Sequence, residues 1–152
     1  MAALMKLEAQ DVDDLAVISS CLQDGLTRVA DMTYQRGRRR FVLMVNRFMW
    51  ERVHARANNR MPEGGERIRC GVHFDSVLNV RVQNIAQDDR DGLLPLLAVT
   101  AAETEAGVDI TLTFAGGGVV LLQAEVIDCH MADIGDSWPT PNRPEHPDDA
   151  LA

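Results

Sequence analysis

Lysine is almost absent from this 152-residue chain: Lys6 is the only one. That scarcity bears directly on the most conspicuous local feature, three consecutive glycines (Gly116, Gly117 and Gly118) in "TLTFAGGGVVLLQAEV". A phosphate-cradling loop needs a Lys-Ser or Lys-Thr pair after its glycines and a helix whose first free N–H groups face the phosphate. Here no lysine follows, and the next residues, Val119, Val120, Leu121 and Leu122, read as a strand. The glycines are therefore expected to turn a β-hairpin, where positive φ favours glycine.

Cysteine is scarce too. Cys21, Cys70 and Cys129 are odd in number and scattered, with no Cys-x-x-Cys pair. They fit buried thiols in a reducing compartment better than a disulfide framework. No apolar run approaches the roughly 18 residues of a membrane span. The N-terminal residues lack the charged start and long apolar core of a signal peptide. A cytoplasmic location without a membrane partner is the resulting expectation. One domain fits the length, with enough core to fold without disulfide or metal.

The net charge of −8 is unevenly spread. Residues 36–69 carry ten arginines and three glutamates, a balance of +7, which leaves −15 for the rest. The long-range field of such an acidic body repels phosphate, so nucleic acid is not an expected partner. A protein partner, or docking of acidic and basic surfaces on two copies of the chain, fits better. Arg38, Arg39, Arg40 and Arg47, interleaved with Phe41, Phe48 and Trp50, are the candidate partner-binding residues. The alternative is that Phe41 and Trp50 belong to the core and the arginines line a hairpin tip.

Periodicity organises the remainder. In "DVDDLAVISSCLQD" (11–24), Leu15, Ile18 and Leu22 fall at helical spacing after a capping aspartate, and Gly25 is a natural stop. From Leu26 to Val126 the pattern predicts strands. Gly37 is expected to turn a hairpin into "RRFVLMVNRFMW", and 54–67 reads as a long loop. Residues 68–82 alternate at period two, with Ile68, Cys70, Val72, Phe74, Leu78, Val80 and Val82 on the apolar side. That run is too long for one strand and predicts a bend or break near Asp75-Ser76. Val108, Ile110, Leu112 and Phe114 alternate in the same way. "IDCHMADIG" reads as a short C-terminal helix with Ile127, Met131 and Ile134 on one face and Gly135 as terminator. The proline-rich stretch 137–152 reads as an irregular tail behind a domain of 1–136.

The expected fold class is α+β: a strongly bent antiparallel sheet or partial barrel of six or seven strands, with an N-terminal and a C-terminal helix. By strand count it is comparable to the pleckstrin-homology-like roll. Unbroken strands argue against a parallel nucleotide-binding sheet.

No catalytic constellation emerges. The four histidines (His54, His73, His130 and His146) show no ligand spacing, so neither metal nor cofactor is expected. Cys129 and His130 are adjacent, about 100° apart on a helix. No serine sits in an elbow motif. One polar strand face stands out: Arg69, His73, Asp75 and Arg81 are the candidate ligand-binding residues for a small molecule or anion. His73 and Asp75, about 7 Å apart along the strand, are the one pair that could converge on a metal or a proton-transfer site. A non-catalytic interaction or assembly module is the leading reading, and an enzyme using His73 and Asp75 the most distant one.

The order of pieces also carries a resemblance. "DLAVISSCLQD", "RRRFVLMVNRFMWE", "GVHFDSVLNVRVQNI", "LLPLLAVT", "TFAGGGVVLLQAEVIDCHMADIGDSW" and "RPEHP" together resemble a bacterial, largely alphaproteobacterial, family of uncharacterised proteins, the domain-of-unknown-function family 2948. The resemblance spans about residues 5 to 147. It implies relatives and no reaction, since the family supplies no catalytic residues to carry over.

Overall fold

The computed structural model describes residues 4–55, 64–141 and 144. The chain opens with β1 (Lys6–Ala9) and α1 (Val12–Leu22), followed by β2 (Gly25–Arg28), β3 (Met32–Gln35) and β4 (Arg40–Phe48). A short α2 (Trp50–Ala55) precedes β5 (Gly65–Phe74) and β6 (Val77–Gln83). The remainder is β7 (Leu93–Thr104), β8 (Gly107–Phe114), β9 (Val119–Ala124) and β10 (Cys129–Thr140).

All ten strands join one antiparallel sheet in the order β1-β10-β5-β4-β2-β7-β8-β9-β6, with β3 added beside β4. The expected α+β fold of six or seven strands closed by two helices is therefore corrected. The sheet has ten strands and an open path, and the comparison with a seven-stranded roll loses its basis. The expected C-terminal helix is instead β10. Cys129, Met131 and Asp133 are buried in alternation, and β10 pairs with β1 on one side and β5 on the other. Ile127 and Met131 satisfy a helical and a two-residue period equally well, and the inward Asp133 hides the alternation. Gly135, at φ +76°, sits in the irregular stretch between Ile134 and Trp138 and ends no helix. β10 continues through Thr140, so the stretch read as an irregular tail begins as strand.

Helix α1 forms as its sequence dictates. Asp11 Oδ1 accepts from the Asp14 N–H at 2.7 Å, and Asp13 and Asp14 place negative charge in the first turn. Leu15, Ile18 and Leu22 are buried against β7, β1 and β4, each stabilising the fold by about 1.5–3 kcal/mol. The left-handed residue after the helix is Asp24 (φ +63°) rather than Gly25. Gly25 is required for another reason: a Cβ there would lie 2.4 Å from Val45 Cγ1 and 2.9 Å from the Leu22 carbonyl. In the hairpin before β4, the left-handed position is likewise Arg39 (φ +52°) and not Gly37.

The predicted interruption of the long alternating run is present. β5 ends at Phe74, Ser76 takes φ +61°, and β6 starts at Val77. Beyond the break Val77 is buried and a register shift follows between Val77 and Asn79. Of the apolar positions expected there, Val80 packs against the core, while Leu78 and Val82 are 48% and 43% exposed. Backbone bonds stitch this corner to the β9–β10 corner, with Asp75 N–H donating to Asp128 C=O and Glu125 N–H to Ser76 C=O. In β8, Val108, Ile110, Leu112 and Phe114 face the core as predicted. Gly116 (φ +87°) and Gly117 (φ +91°) turn the β8–β9 hairpin, a conformation that other residues resist. Of the expected loop at 54–67, residues 56–63 lie outside the described residues, 54–55 end α2 and 65–67 begin β5.

Candidate functional site

Antiparallel register lines up one row of side chains on the outer face of the sheet. Glu8 on β1 is opposite His130 on β10, His130 is opposite His73 on β5, and His73 is opposite Val42 on β4. Directly opposed residues lie within side-chain reach, and the two imidazole rings stand 4.7 Å apart, centroid to centroid. The stitched corners deliver two carboxylates to the same place. Asp75 Oδ2 lies 3.6 Å from His73 Nε2, and Asp128 Oδ1 lies 2.8 Å from His130 Nε2. Glu8 Oε1 approaches His130 Nδ1 at 3.6 Å.

Arg40 holds Asp75, its Nε donating to Oδ1 at 2.7 Å. Burial pushes the His73 pKa below its usual value, and the Arg40 charge pushes it the same way, ahead of the opposing effect of Asp75. The ring is thus neutral at neutral pH, so its approach to Asp75 is not an ion pair there. Beside the row lies a groove of about 410 Å³, lined by Lys6, Glu8, Val42, Gly71, His73 and His130 among others.

Of the four residues expected on a ligand-binding face, His73 and Asp75 meet. Arg69 shares the His73 face of β5 but sits four residues, roughly 13 Å, along the strand, bonded to Asn46 and near Asp31. Arg81 lies on β6, at the far end of the sheet path. His130, Asp128 and Glu8 were missed. A two-residue reading of 127–133 would have turned His130 outward, opposite Cys129.

Several arginines of the basic segment are paired within the molecule, while Arg36, Arg38 and Arg39 stay exposed. Arg47 is 0% exposed: its Nε and Nη2 donate to Asp133 at 2.7 Å each, and its Nη1 and Nη2 to Glu51 at 2.9 and 2.7 Å. Burial acts to lower the Arg47 pKa, but these hydrogen bonds outweigh it and the net shift is upward. Arg67 donates to the Asp24 and Asn46 carbonyls and lies 5.6 Å from the Phe48 ring centre. Arg52 is bonded to Glu66, Arg40 to Asp75 and Arg39 to Glu125. The candidate surface of Arg38, Arg39, Arg40 and Arg47 therefore loses Arg47 to the interior and has Arg39 and Arg40 already paired. Phe41 and Phe48 are core, as the alternative reading held for Phe41.

Cys70 and Cys129 are buried, their thiols pushed up to about 12 by burial first and nearby Asp133 or Asp128 second. This fits structural cysteines. Among the described residues no helix is long and apolar enough to cross a membrane.

Fold and site together define a sheet-rich domain with a two-histidine, two-carboxylate cluster on one open face. Over residues 5–146 the chain matches the family described as Protein of unknown function (DUF2948), and it belongs to that family. No curated protein and no solved structure matches it.

Proposed function

We propose that the protein is a non-catalytic binding domain whose small ligand sits on the outer face around His73 and His130. The observation that carries this reading is their cross-strand apposition, 4.7 Å between ring centres, at the rim of a groove of about 410 Å³. A groove of that size lies within the range of small-molecule sites. Asp75, Asp128 and Glu8 make the site a poor one for anions, and Arg40 is already engaged by Asp75. The ligand class is therefore neutral or cationic. The openness of the face, with His73 partly exposed, favours binding over chemistry that needs a dry pocket.

The test is a titration of the 15N-labelled full chain with a library of neutral and amine-bearing fragments, read by amide chemical shifts. Perturbations should gather at Gly71, His73, His130 and Ala132. Fragments that bind only elsewhere, or nowhere, would overturn the reading.

A second reading, self-association, is supported by β6. Among the described residues this edge strand pairs only with β9, and it exposes Leu78 and Val82, the kind of edge that pairs with another chain. A strict monomer by light scattering at low and high salt would remove it.

A further inference from the structure

The outer face around His73 and His130 carries a donor set that narrows its ligand class further. Taking that face as a binding site, as proposed above, we infer that His73, His130 and Asp75 form a site for a divalent transition-metal ion of the zinc kind. The groove adjoins it through His73 and His130.

The three residues each offer one donor atom, and all three atoms lie within 4.8 Å of one another. A tetrahedral zinc ion with bonds of about 2.0–2.1 Å holds its donors roughly 3.4 Å apart. His73 Nε2 and Asp75 Oδ2 stand at 3.6 Å without an ion, so only the wider spacing to His130 has to close. Rotation of one imidazole about its side-chain torsions supplies that movement while both strands stay paired.

The surroundings hold these donors in place. Arg40 donates to Asp75 from Nε to Oδ1 at 2.7 Å and from Nη2 to Oδ2, the oxygen nearer His73, at 3.4 Å. Asp128 Oδ1 accepts from His130 Nε2 at 2.8 Å, a brace that makes Nδ1 the ligating nitrogen of that ring. Carboxylates and hydrogen-bond donors of this kind orient the ligands of metal sites. Both histidines are fixed by the β5–β10 ladder, and Asp75 by its backbone bond to Asp128. Asp75, Asp128 and Glu8 outnumber Arg40 and Lys6, which leaves the neighbourhood net negative.

The donor types choose the ion. Two imidazoles and one carboxylate suit zinc, nickel, copper or iron(II). Calcium takes six to eight oxygens, and magnesium keeps an oxygen octahedron. Three protein donors leave one tetrahedral position free, as in zinc sites that accept an exchangeable ligand. The thiols take no part: Cys129 and Cys70 are buried in the core, while His130 and His73 lie on the outer face.

The experiment is calorimetric titration of the full chain with zinc chloride, in a phosphine reductant that keeps the thiols reduced, with magnesium chloride as control. Cobalt(II) absorption is read alongside. The expected result is one zinc per chain, no magnesium binding, and a cobalt spectrum without a thiolate charge-transfer band. His73→Asn and His130→Asn, each checked for native circular dichroism, should weaken zinc binding by at least about tenfold, with Asp75→Asn a third variant of the same direction. No zinc uptake by the wild-type chain would overturn the inference, as would a thiolate band or unchanged affinity in the folded histidine variants. If fragments still perturb the groove of a chain that takes up no zinc, the metal falls and the binding face stands. If zinc binds and fragments do not, the metal stands and the groove is no organic-ligand site.

Discussion

Arg47 on β4 and Asp133 on β10 form a bidentate ion pair with both side chains out of reach of solvent, although their strands are not neighbours. β5 runs between them, and Cys70 is in register with both Val45 and Asp133. The guanidinium therefore reaches across a strand. Asp133 also accepts from the Met5 N–H, which ties β1 into the same network.

Breaking that pair should be costly. Arg47→Met leaves a buried carboxylate without its counter-charge, and Asp133→Leu leaves a buried guanidinium with only Glu51. Each should lose about 3–5 kcal/mol in urea denaturation. The double variant should lose far less than the sum. It should retain a loss of about 1–3 kcal/mol, because the Met5 N–H is still deprived of its acceptor.

Acid sensitivity arises at Glu51. Burial acts to raise its pKa, but the hydrogen bond to Arg47 prevails and the folded value lies below the usual 4.5. A carboxylate with a depressed folded pKa binds more protons when unfolded, so its stabilisation is present above pH 4.5 and lost as pH falls through the folded value. Glu51→Gln should flatten the fall in stability below pH 4.5 and change little of its slope near pH 7. Denaturation midpoints from pH 3 to 7 check this.

Two glycines should answer oppositely to alanine. At Gly25 the new Cβ would meet Val45 Cγ1 at 2.4 Å, and overpacking of this kind costs about 1–3 kcal/mol. At Gly37 nothing lies within 4 Å and no left-handed φ is required. Gly37→Ala should be neutral or stabilise by roughly 0.4–1 kcal/mol through the unfolded chain. Thermal unfolding of the two variants separates them.

Thiol reactivity should be ordered by depth. Cys70 and Cys129 are buried, with thiols at about 12, whereas Cys21 is partly exposed and its thiol raised less far. A disulfide reagent at pH 8 should modify Cys21 first and reach the other two only at the rate of unfolding.

Much of the fold is legible in local pattern. The Asp75-Ser76 break is implied by a run too long for one strand. The β8 alternation and the glycine hairpin are implied by spacing and the missing lysine. What escaped was set by distant partners. Asp133 is a polar residue at an inward position, which makes sense only with Arg47, 86 residues away. Without that partner the alternation of β10 looked broken, and a helix took its place. The same error turned His130 away from His73, so half the candidate site vanished with it. The basic balance of residues 36–69 was legible, but the pairing of Arg39, Arg40 and Arg47 was not, because Glu125, Asp75 and Asp133 belong to other parts of the chain.

The candidate site exists only if β10 is a strand that sets His130 beside His73. Nuclear Overhauser contacts between the ring protons of these two histidines in the labelled full chain test it most directly. With ring centres 4.7 Å apart, cross-peaks between the two rings are predicted, together with cross-strand Cα–H contacts between β5 and β10. Sequential helical contacts across 129–134 and silence between the rings would contradict it.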